Sequence, residues 1–384
     1  MVPTIKSVSS PALLGPTGSL CLSTDAGEQA DQDSVPTCDK VIDLLQLKNK
    51  QDLEAAVLDL VRTVLPGWAD GVFSIRLQRV SGAMTNAVFF VDAPRRPRLL
   101  LRVYGIGCEQ VVDRQHELEW LARLSQMSTA VGPQLLATFG NGRFEEYLDS
   151  VTLTHDDLRD PETSKQIARS LRELHRVADI YPPSSENIRV ELWRNVSKWY
   201  AVVRELLNQQ VWQQKLKDCN MQTLPSEIER CKAVLDKVPS KIVFAHNDTQ
   251  YGNVLRLSRS GELVIVDFEY AGYNPRGFDI ANHFCEWMYN YHGENPATMN
   301  VDDFPSKEEQ LLFLQAYLEE KEEGDSTSTP EELRQEILHW VMASHLHWAL
   351  WGLVQASQSE IDFDYFTYSR QRLQAFRKQL DLFS

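Results

Sequence analysis

Between residues 244 and 272 the chain reads FAHNDTQYGNVLRLSRSGELVIVDFEYAG, and Asp248, Asn253 and Asp267 stand at the ends of its short apolar runs. Short apolar runs bounded by turn residues read as buried strands, and an ionised carboxylate at a buried strand end is costly unless something pairs with it. A chain carrying this stretch must close a core around two carboxylates and an amide, and must offer them a cation or a polar ligand. The stretch is also a strand-like insert among helices. Strand-like segments precede it, and long amphipathic helices surround it.

The segment VFSIRLQRVSGAMTNAVFFVDAPRRPRLLLRVYG reads as three strands joined by tight turns, and QDLEAAVLDLVRTVLPGW before it has helical spacing. A second helix, EQVVDRQHELEWLARLSQM, precedes two more strands in GPQLLATFGNGRFEEYL. Strands with one intervening helix predict a small α+β lobe. From 149 onward, helical segments such as TSKQIARSLRELHRV and PEELRQEILHWVMASHLHWALWGLVQASQ predict a larger, mainly helical lobe, with the quoted stretch as a strand insert. Residues 1–45, rich in Ser, Thr, Pro, Gly, Asp and Gln, are expected to form a disordered tail. The first lobe is then expected over 46–148 and the second over 149–384.

Charge narrows the partners. The 39 Lys and Arg against 54 Asp and Glu give a net charge of -15, which disfavours nucleic acid or an anionic membrane, because phosphate binding needs clustered cations. The six cysteines include no C-x-x-C pair, so neither a zinc site nor a disulfide scaffold is indicated. No apolar run approaches the roughly 18 residues of a bilayer span, and the opening MVPTIKSVSSPALLGPTGSL is broken by Pro and Gly where a signal peptide needs a continuous apolar core. A cytoplasmic protein without stable membrane insertion is expected.

Phosphoryl transfer from a nucleotide needs a group to receive the acceptor's proton, oxygen ligands for Mg²⁺, and a cation on the phosphates. His246-Asn247-Asp248-Thr249-Gln250-Tyr251-Gly252-Asn253 has the Asp-to-Asn spacing of the kinase catalytic loop H-R-D-x-x-x-x-N, and Asp267-Phe268-Glu269 follows where kinases have D-F-G. Asp248 is the expected base, with Asn253 and Asp267 as metal ligands. A rival reading, in which Asp248 and Asn253 only cap a turn, leaves Asp267 unexplained. In the first lobe, Arg102 is a lone cation in an apolar strand, and Glu117 shares a helix face with Leu121 and Leu124. An inward carboxylate needs a partner, so an Arg102–Glu117 pair is expected; Glu119 faces outward. The turn Gly82-Ala83-Met84-Thr85-Asn86 is expected over the phosphates, and Glu146, Tyr147 and Leu148 at the crossing between lobes, near the adenine.

Aromatic residues crowd the C-terminal third, including Trp287, Trp340, Trp348 and Trp351, with Trp348 and Trp351 on one helix face. Phe363 and Tyr368 lie in a stretch that alternates aromatics with acids. Ring faces with a nearby carboxylate suit a quaternary ammonium, each contact contributing about 0.5 to 2 kcal/mol. The same rings could equally be core of a helical lobe, and Trp340 is placed there.

FAHNDTQYGNVL together with VDFEYAGYNPRGFDIANHFCEWMYNY resembles the choline/ethanolamine kinase family, and the resemblance runs from about 75 to the C-terminus. It implies a protein-kinase-like two-lobed fold and the Mg²⁺-dependent reaction of ATP with choline to give phosphocholine, the first step of phosphatidylcholine synthesis. It also implies that Gln250 lies by the nucleotide, that the amine meets Tyr270, Glu286, Tyr291, Trp348, Trp351, Phe363 and Tyr368, and that Asp279 and Asn282 support the catalytic loop. Ethanolamine as substrate, an aminoglycoside or other amino-alcohol phosphotransferase, and a catalytically silent scaffold are the alternatives; intact Asp248, Asn253 and Asp267 argue against the scaffold. The family often dimerises, so a homodimer is compatible. Ser81 and Ala83 depart from the family's phosphate turn, and 187–238 cannot be aligned with it.

Overall fold

The computed structural model describes residues 35–383 except 48, 81–85, 105–112, 128–130, 184–187, 320–328 and 360. Strands β1 (Thr37–Cys38), β2 (Arg76–Val80), β3 (Asn86–Asp92), β4 (Leu99–Tyr104), β5 (Leu135–Phe139) and β6 (Gly142–Glu146) form one sheet in the order β1-β5-β6-β4-β3-β2. Helices α1 (Lys50–Val64), α2 (Pro66–Ala69) and α3 (Arg114–Ser125) flank it. Alternation decides the two faces. Leu99, Leu101 and Val103 of β4 join Phe144 of β6 and Val57, Val61 and Val64 of α1 in a closed core. Arg102, out of phase with those three, lies on the opposite face.

One departure from the sequence reading lies at the N-terminal side. Thr37 and Cys38, inside the stretch expected to be disordered, pair in parallel with Thr138 and Phe139, and Ile42 is buried. Asn141 clasps the segment, accepting from Ile42 N and donating to Ile42 O, each at 2.9 Å. Composition measures what a segment's own side chains can bury. Here an existing sheet edge and one amide supply the partners instead.

The second lobe contains β7 (Ser150–Thr152), α4 (Pro161–Ile180), α5 (Glu191–Leu206), α6 (Gln210–Lys215), α7 (Leu224–Leu235), β8 (Ile242–Ala245), β9 (Val254–Leu257), β10 (Leu263–Ile265), β11 (Gly272–Pro275), α8 (Arg276–Glu286), α9 (Lys307–Tyr317), α10 (Pro330–Gln358) and α11 (Tyr365–Phe383). Two small sheets, β10-β9-β7 and β11-β8, frame the stretch that opened the sequence reading. Every residue of α8 is buried. It packs against α10, which in turn packs against α11 and α5. A helix buried on all sides has no solvent to satisfy its polar groups, so Asp279, Asn282, His283 and Glu286 must all find partners inside the lobe. Among the described residues no helix is long and apolar enough to cross a membrane.

Candidate active site

The loop after β8 turns through a left-handed residue, Asn247 at φ 68°, and the loop after β10 through another, Asp267 at φ 70°. Asn and Asp tolerate this region better than other non-glycine residues, but the geometry still needs support. Asn247 receives it from every side: its Nδ2 donates to Tyr270 O at 2.8 Å, its Oδ1 accepts from Asn274 Nδ2 at 2.6 Å, and its main-chain N–H donates to Asp279 Oδ1 at 2.7 Å. Asp279 Oδ2 accepts from His246 N and from His175 Nε2, both at 2.9 Å. Burial disfavours the Asp279 charge, yet His175 and these donors reverse the effect and hold its pKa below the usual carboxylate value.

Helix α8 continues this pattern one turn at a time. Asn282 donates to Asn247 O at 3.1 Å and accepts from Ser344 Oγ and Trp348 Nε1 at 2.8 and 2.6 Å. His283 Nδ1 donates to Thr249 O at 2.8 Å, and burial lowers its pKa to about 4, so the ring is neutral. His246 is a neutral tautomer too: Nε2 donates to Val266 O at 3.0 Å while Nδ1 accepts from Asp248 N at 3.3 Å. Residues 279, 282, 283 and 286 share one helix face. That face runs from the loop at residues 246–249 to the aromatic cluster.

Asp248 and Asn253 meet directly. Asn253 Nδ2 donates to Asp248 Oδ2 and to Asp248 O, both at 2.9 Å. With the amide nitrogen so engaged, Oδ1 is the atom Asn253 has to offer a hard cation. Burial, then the charges of Glu286, Asp267 and Glu269, push Asp248 well above the usual carboxylate range. Such crowding of carboxylates favours a bound cation. Among the described residues no cluster of three His, Cys, Asp or Glu could hold a metal by itself. Two oxygen donors, from Asn253 and Asp267, fit Mg²⁺, which takes one or two protein ligands and completes its shell with water and phosphate oxygens.

Arg102 and Glu117 do not pair as the sequence reading expected. Arg102 Nε donates to Glu145 Oε2 at 2.9 Å, and Nη1 lies 3.4 Å from Asp267 Oδ1. Glu117 is held by Arg143 Nη2 at 2.9 Å and Arg114 Nη1 at 2.8 Å. The reason lies in the β4/β6 register, which sets Arg102 directly opposite Arg143. Like charges opposed across a ladder repel, and Glu145 sits between them, accepting from Arg143 Nε at 2.6 Å. Arg114 then reaches Glu269 Oε2 at 3.2 Å. The result is an alternating chain, Asp267, Arg102, Glu145, Arg143, Glu117, Arg114, Glu269, that leaves and re-enters the Asp-Phe-Glu motif. Burial raises the Glu145 pKa, but Arg102 and Arg143 overcome it and pull it down to about 2.

Of the other expected nucleotide contacts, Gly82, Ala83, Met84 and Thr85 lie outside the described residues; Asn86 opens β3, its side chain likewise outside. Glu146 ends β6, and Tyr147 packs edge-on to Phe90 at 5.2 Å, with the Arg98 guanidinium over the Tyr147 ring at 4.9 Å from its centroid. Leu148 O accepts from Ser150 Oγ at 3.0 Å. Gln250 Oε1 caps the turn at Tyr251–Asn253, accepting from Gly252 N at 2.7 Å.

The expected amine residues come together. Trp348 contacts Tyr270 and Trp351 at centroid distances of 5.4 and 5.2 Å, and Trp351 Nε1 donates to Tyr270 OH at 2.8 Å. Phe363 lies 6.3 Å from Tyr291 and 5.8 Å from Tyr368. Tyr291 OH donates to Glu286 Oε2 at 2.6 Å. Trp340 is core, as expected, buried against Gly277. Sequence reasoning missed Arg372, Tyr289 and Tyr365 here, and Arg143, Glu145 and Arg114 in the first lobe. Opposite charges two apart on a strand, as at Arg143 and Glu145, were the available signal.

The family model described as choline/ethanolamine kinase matches residues 77–377. The chain is 35% identical to a probable choline kinase 2 of Arabidopsis thaliana, over 86% of this chain and 93% of that protein. It is 37% identical to a choline/ethanolamine kinase of Rattus norvegicus, over 78% of this chain and 79% of the other. Among solved structures, an ethanolamine kinase of Plasmodium vivax superposes with a TM-score of 0.71 at 25% identity, covering 86% of this chain and 91% of its own. With a sheet-built first lobe, a helical second lobe and Asp248, Asn253 and Asp267 at their junction, the chain belongs to the choline/ethanolamine kinase family.

Proposed function

We propose that the protein transfers the γ-phosphoryl group of ATP to the hydroxyl of choline, giving phosphocholine and ADP. The observation that carries this reading is the single face of α8, which supports the catalytic loop through Asp279 and His283 and, one turn on, places Glu286 among aromatic rings. One buried helix thus braces the loop that carries Asp248 and also bears Glu286 of the proposed acceptor pocket. Asp248 accepts the hydroxyl proton as the oxygen forms its bond to the γ-phosphorus and the bond to the β,γ-bridging oxygen breaks. Asn253 fixes the Asp248 carboxylate, and Asn253 and Asp267 would hold Mg²⁺. When bound, the ion supplies charge neutralisation at the β- and γ-phosphates. Arg102, held by Glu145, provides a fixed cation beside Asp267, and the family resemblance implies that the 82–86 turn, Gln250 and 146–148 would meet the nucleotide.

Tyr270, Trp348, Trp351, Phe363 and Tyr368 supply ring faces for the methylated ammonium. Ethanolamine is the second reading, favoured by the buried carboxylate of Glu286 beside Tyr291 and by the likeness to an ethanolamine kinase. The test is product identification by phosphorus NMR after incubation with Mg²⁺-ATP and choline. A phosphocholine signal that disappears with Asp248→Ala supports the reading, and its absence from the wild-type reaction refutes it.

A further inference from the structure

Glu286 is committed before any acceptor arrives. Arg372 Nη2 donates to Oε1 at 2.6 Å, and Tyr291 OH donates to Oε2 at 2.6 Å. The Arg372 and Glu286 side chains are 0% and 2% exposed. The guanidinium lies 4.6 Å from the Tyr289 ring centroid and 5.2 Å from that of Tyr368, and Nη1 lies 3.4 Å from His345 Nδ1. Burial alone would lower the Arg372 pKa; the phenols of Tyr289 and Tyr368 and the Glu286 carboxylate reverse that and keep it charged. A buried ion pair is a poor stabiliser compared with apolar residues of the same volume. Something other than stability therefore accounts for a full positive charge beneath a pocket meant for a cation.

We infer that Arg372 sets acceptor specificity: by neutralising Glu286 it leaves ring faces, rather than a carboxylate, to attract the acceptor, which favours a trimethylammonium over a primary ammonium. The inference rests on the choline reading above. A primary ammonium carries three N–H donors and is strongly hydrated. Entering a pocket whose Glu286 oxygens already accept from Arg372 and Tyr291, it leaves donors poorly matched, a loss comparable to an unmade hydrogen bond. A trimethylammonium has no donors to satisfy. It loses little on desolvation and gains contact with Tyr270, Trp348 and Trp351.

The test is a double-variant cycle read in steady-state kinetics with choline and ethanolamine. Glu286→Gln strands the Arg372 charge and should raise the choline KM about tenfold. Adding Arg372→Met removes the stranded charge, so the double variant should return to within about threefold of wild type. Arg372→Met alone releases Glu286 and should move the choline-to-ethanolamine ratio of kcat/KM about tenfold toward ethanolamine. A double variant no better than Glu286→Gln overturns the inference, since Glu286 would then serve the acceptor directly. Should the buried methionine unfold the chain, wild-type protein gives a second test: KM should fall with each methyl from ethanolamine to choline, and a flat or rising series overturns the inference. Choline turnover without rescue defeats only the role of Arg372. Absence of choline turnover in wild type defeats the choline reading itself, and the inference with it.

Discussion

Asp279 Oδ1 accepts the main-chain N–H of Asn247 at 2.7 Å, so a carboxylate on a buried helix fixes the left-handed residue directly ahead of Asp248. Both oxygens of Asp279 face donors, because Oδ2 meets His246 N and His175 Nε2. Asp279→Asn would turn an amide N–H₂ toward one of them. Breaking such a buried charged network costs roughly 3 to 5 kcal/mol. Urea denaturation of Asp279→Asn should show a loss of that size, and kcat should fall with it. A variant within about 0.5 kcal/mol of wild type, the range of plain surface changes, would remove Asp279 from this role.

The alternating chain from Asp267 to Glu269 depends on Arg143 at its middle. Arg143→Met leaves Glu145 and Glu117 each with one fewer cation and lets Arg102 drift from Asp267. Calorimetric titration with Mg²⁺-ADP should show affinity reduced about tenfold, in the range of 0.5 to 2 kcal/mol that positioning changes produce. The choline KM should change far less. Equal losses for both ligands would mean that the lobe had simply loosened.

Trp348 and Trp351 share a helix face but have different partners, and their variants should differ accordingly. Trp351 donates to the OH of Tyr270, one of the proposed pocket rings. Trp348 donates to Asn282, which donates in turn to Asn247 O, one residue before the proposed base. Trp351→Ala should raise the choline KM about five- to thirtyfold, as loss of a desolvated cation–π contact implies, with a small change in kcat. Trp348→Ala should lower kcat as well. Identical kinetic profiles would reassign both rings to general packing.

Glu145 makes stability depend on acid. Its carboxyl is shifted from 4.5 to about 2 by Arg102 and Arg143 against burial. A depressed carboxylate stabilises fully above its unfolded value and loses that contribution as pH falls through the folded one. The window is therefore pH 4.5 down to about 2, and the contribution is roughly 3 kcal/mol at most. Glu145→Gln should flatten the decline of stability across this window relative to wild type. An unchanged slope would show that the pair does not carry linked protons.

The closeness of Asp248 and Asn253 was legible because it is local in the chain: the two lie within one turn, and Asp267 follows the next hairpin. The strand and helix order was legible from periodicity for the same reason. What stayed hidden depends on contacts between distant elements. Arg372 reads as an ordinary helix cation, and nothing in its neighbourhood names Glu286, 86 positions away. The expected Arg102–Glu117 pair failed because strand register, invisible in the sequence, sets Arg143 opposite Arg102. Thr37 and Cys38 were missed because a two-residue strand has no periodicity to read.

We propose that Asp248, the metal-ligand candidates Asn253 and Asp267, and the ring-lined pocket form one site for phosphorylating choline. ADP release from purified protein with Mg²⁺-ATP, measured side by side with choline, with ethanolamine and without acceptor, tests it most directly. Release that depends on choline and exceeds that with ethanolamine is the expected result. Release that is the same with choline as with no acceptor would contradict it.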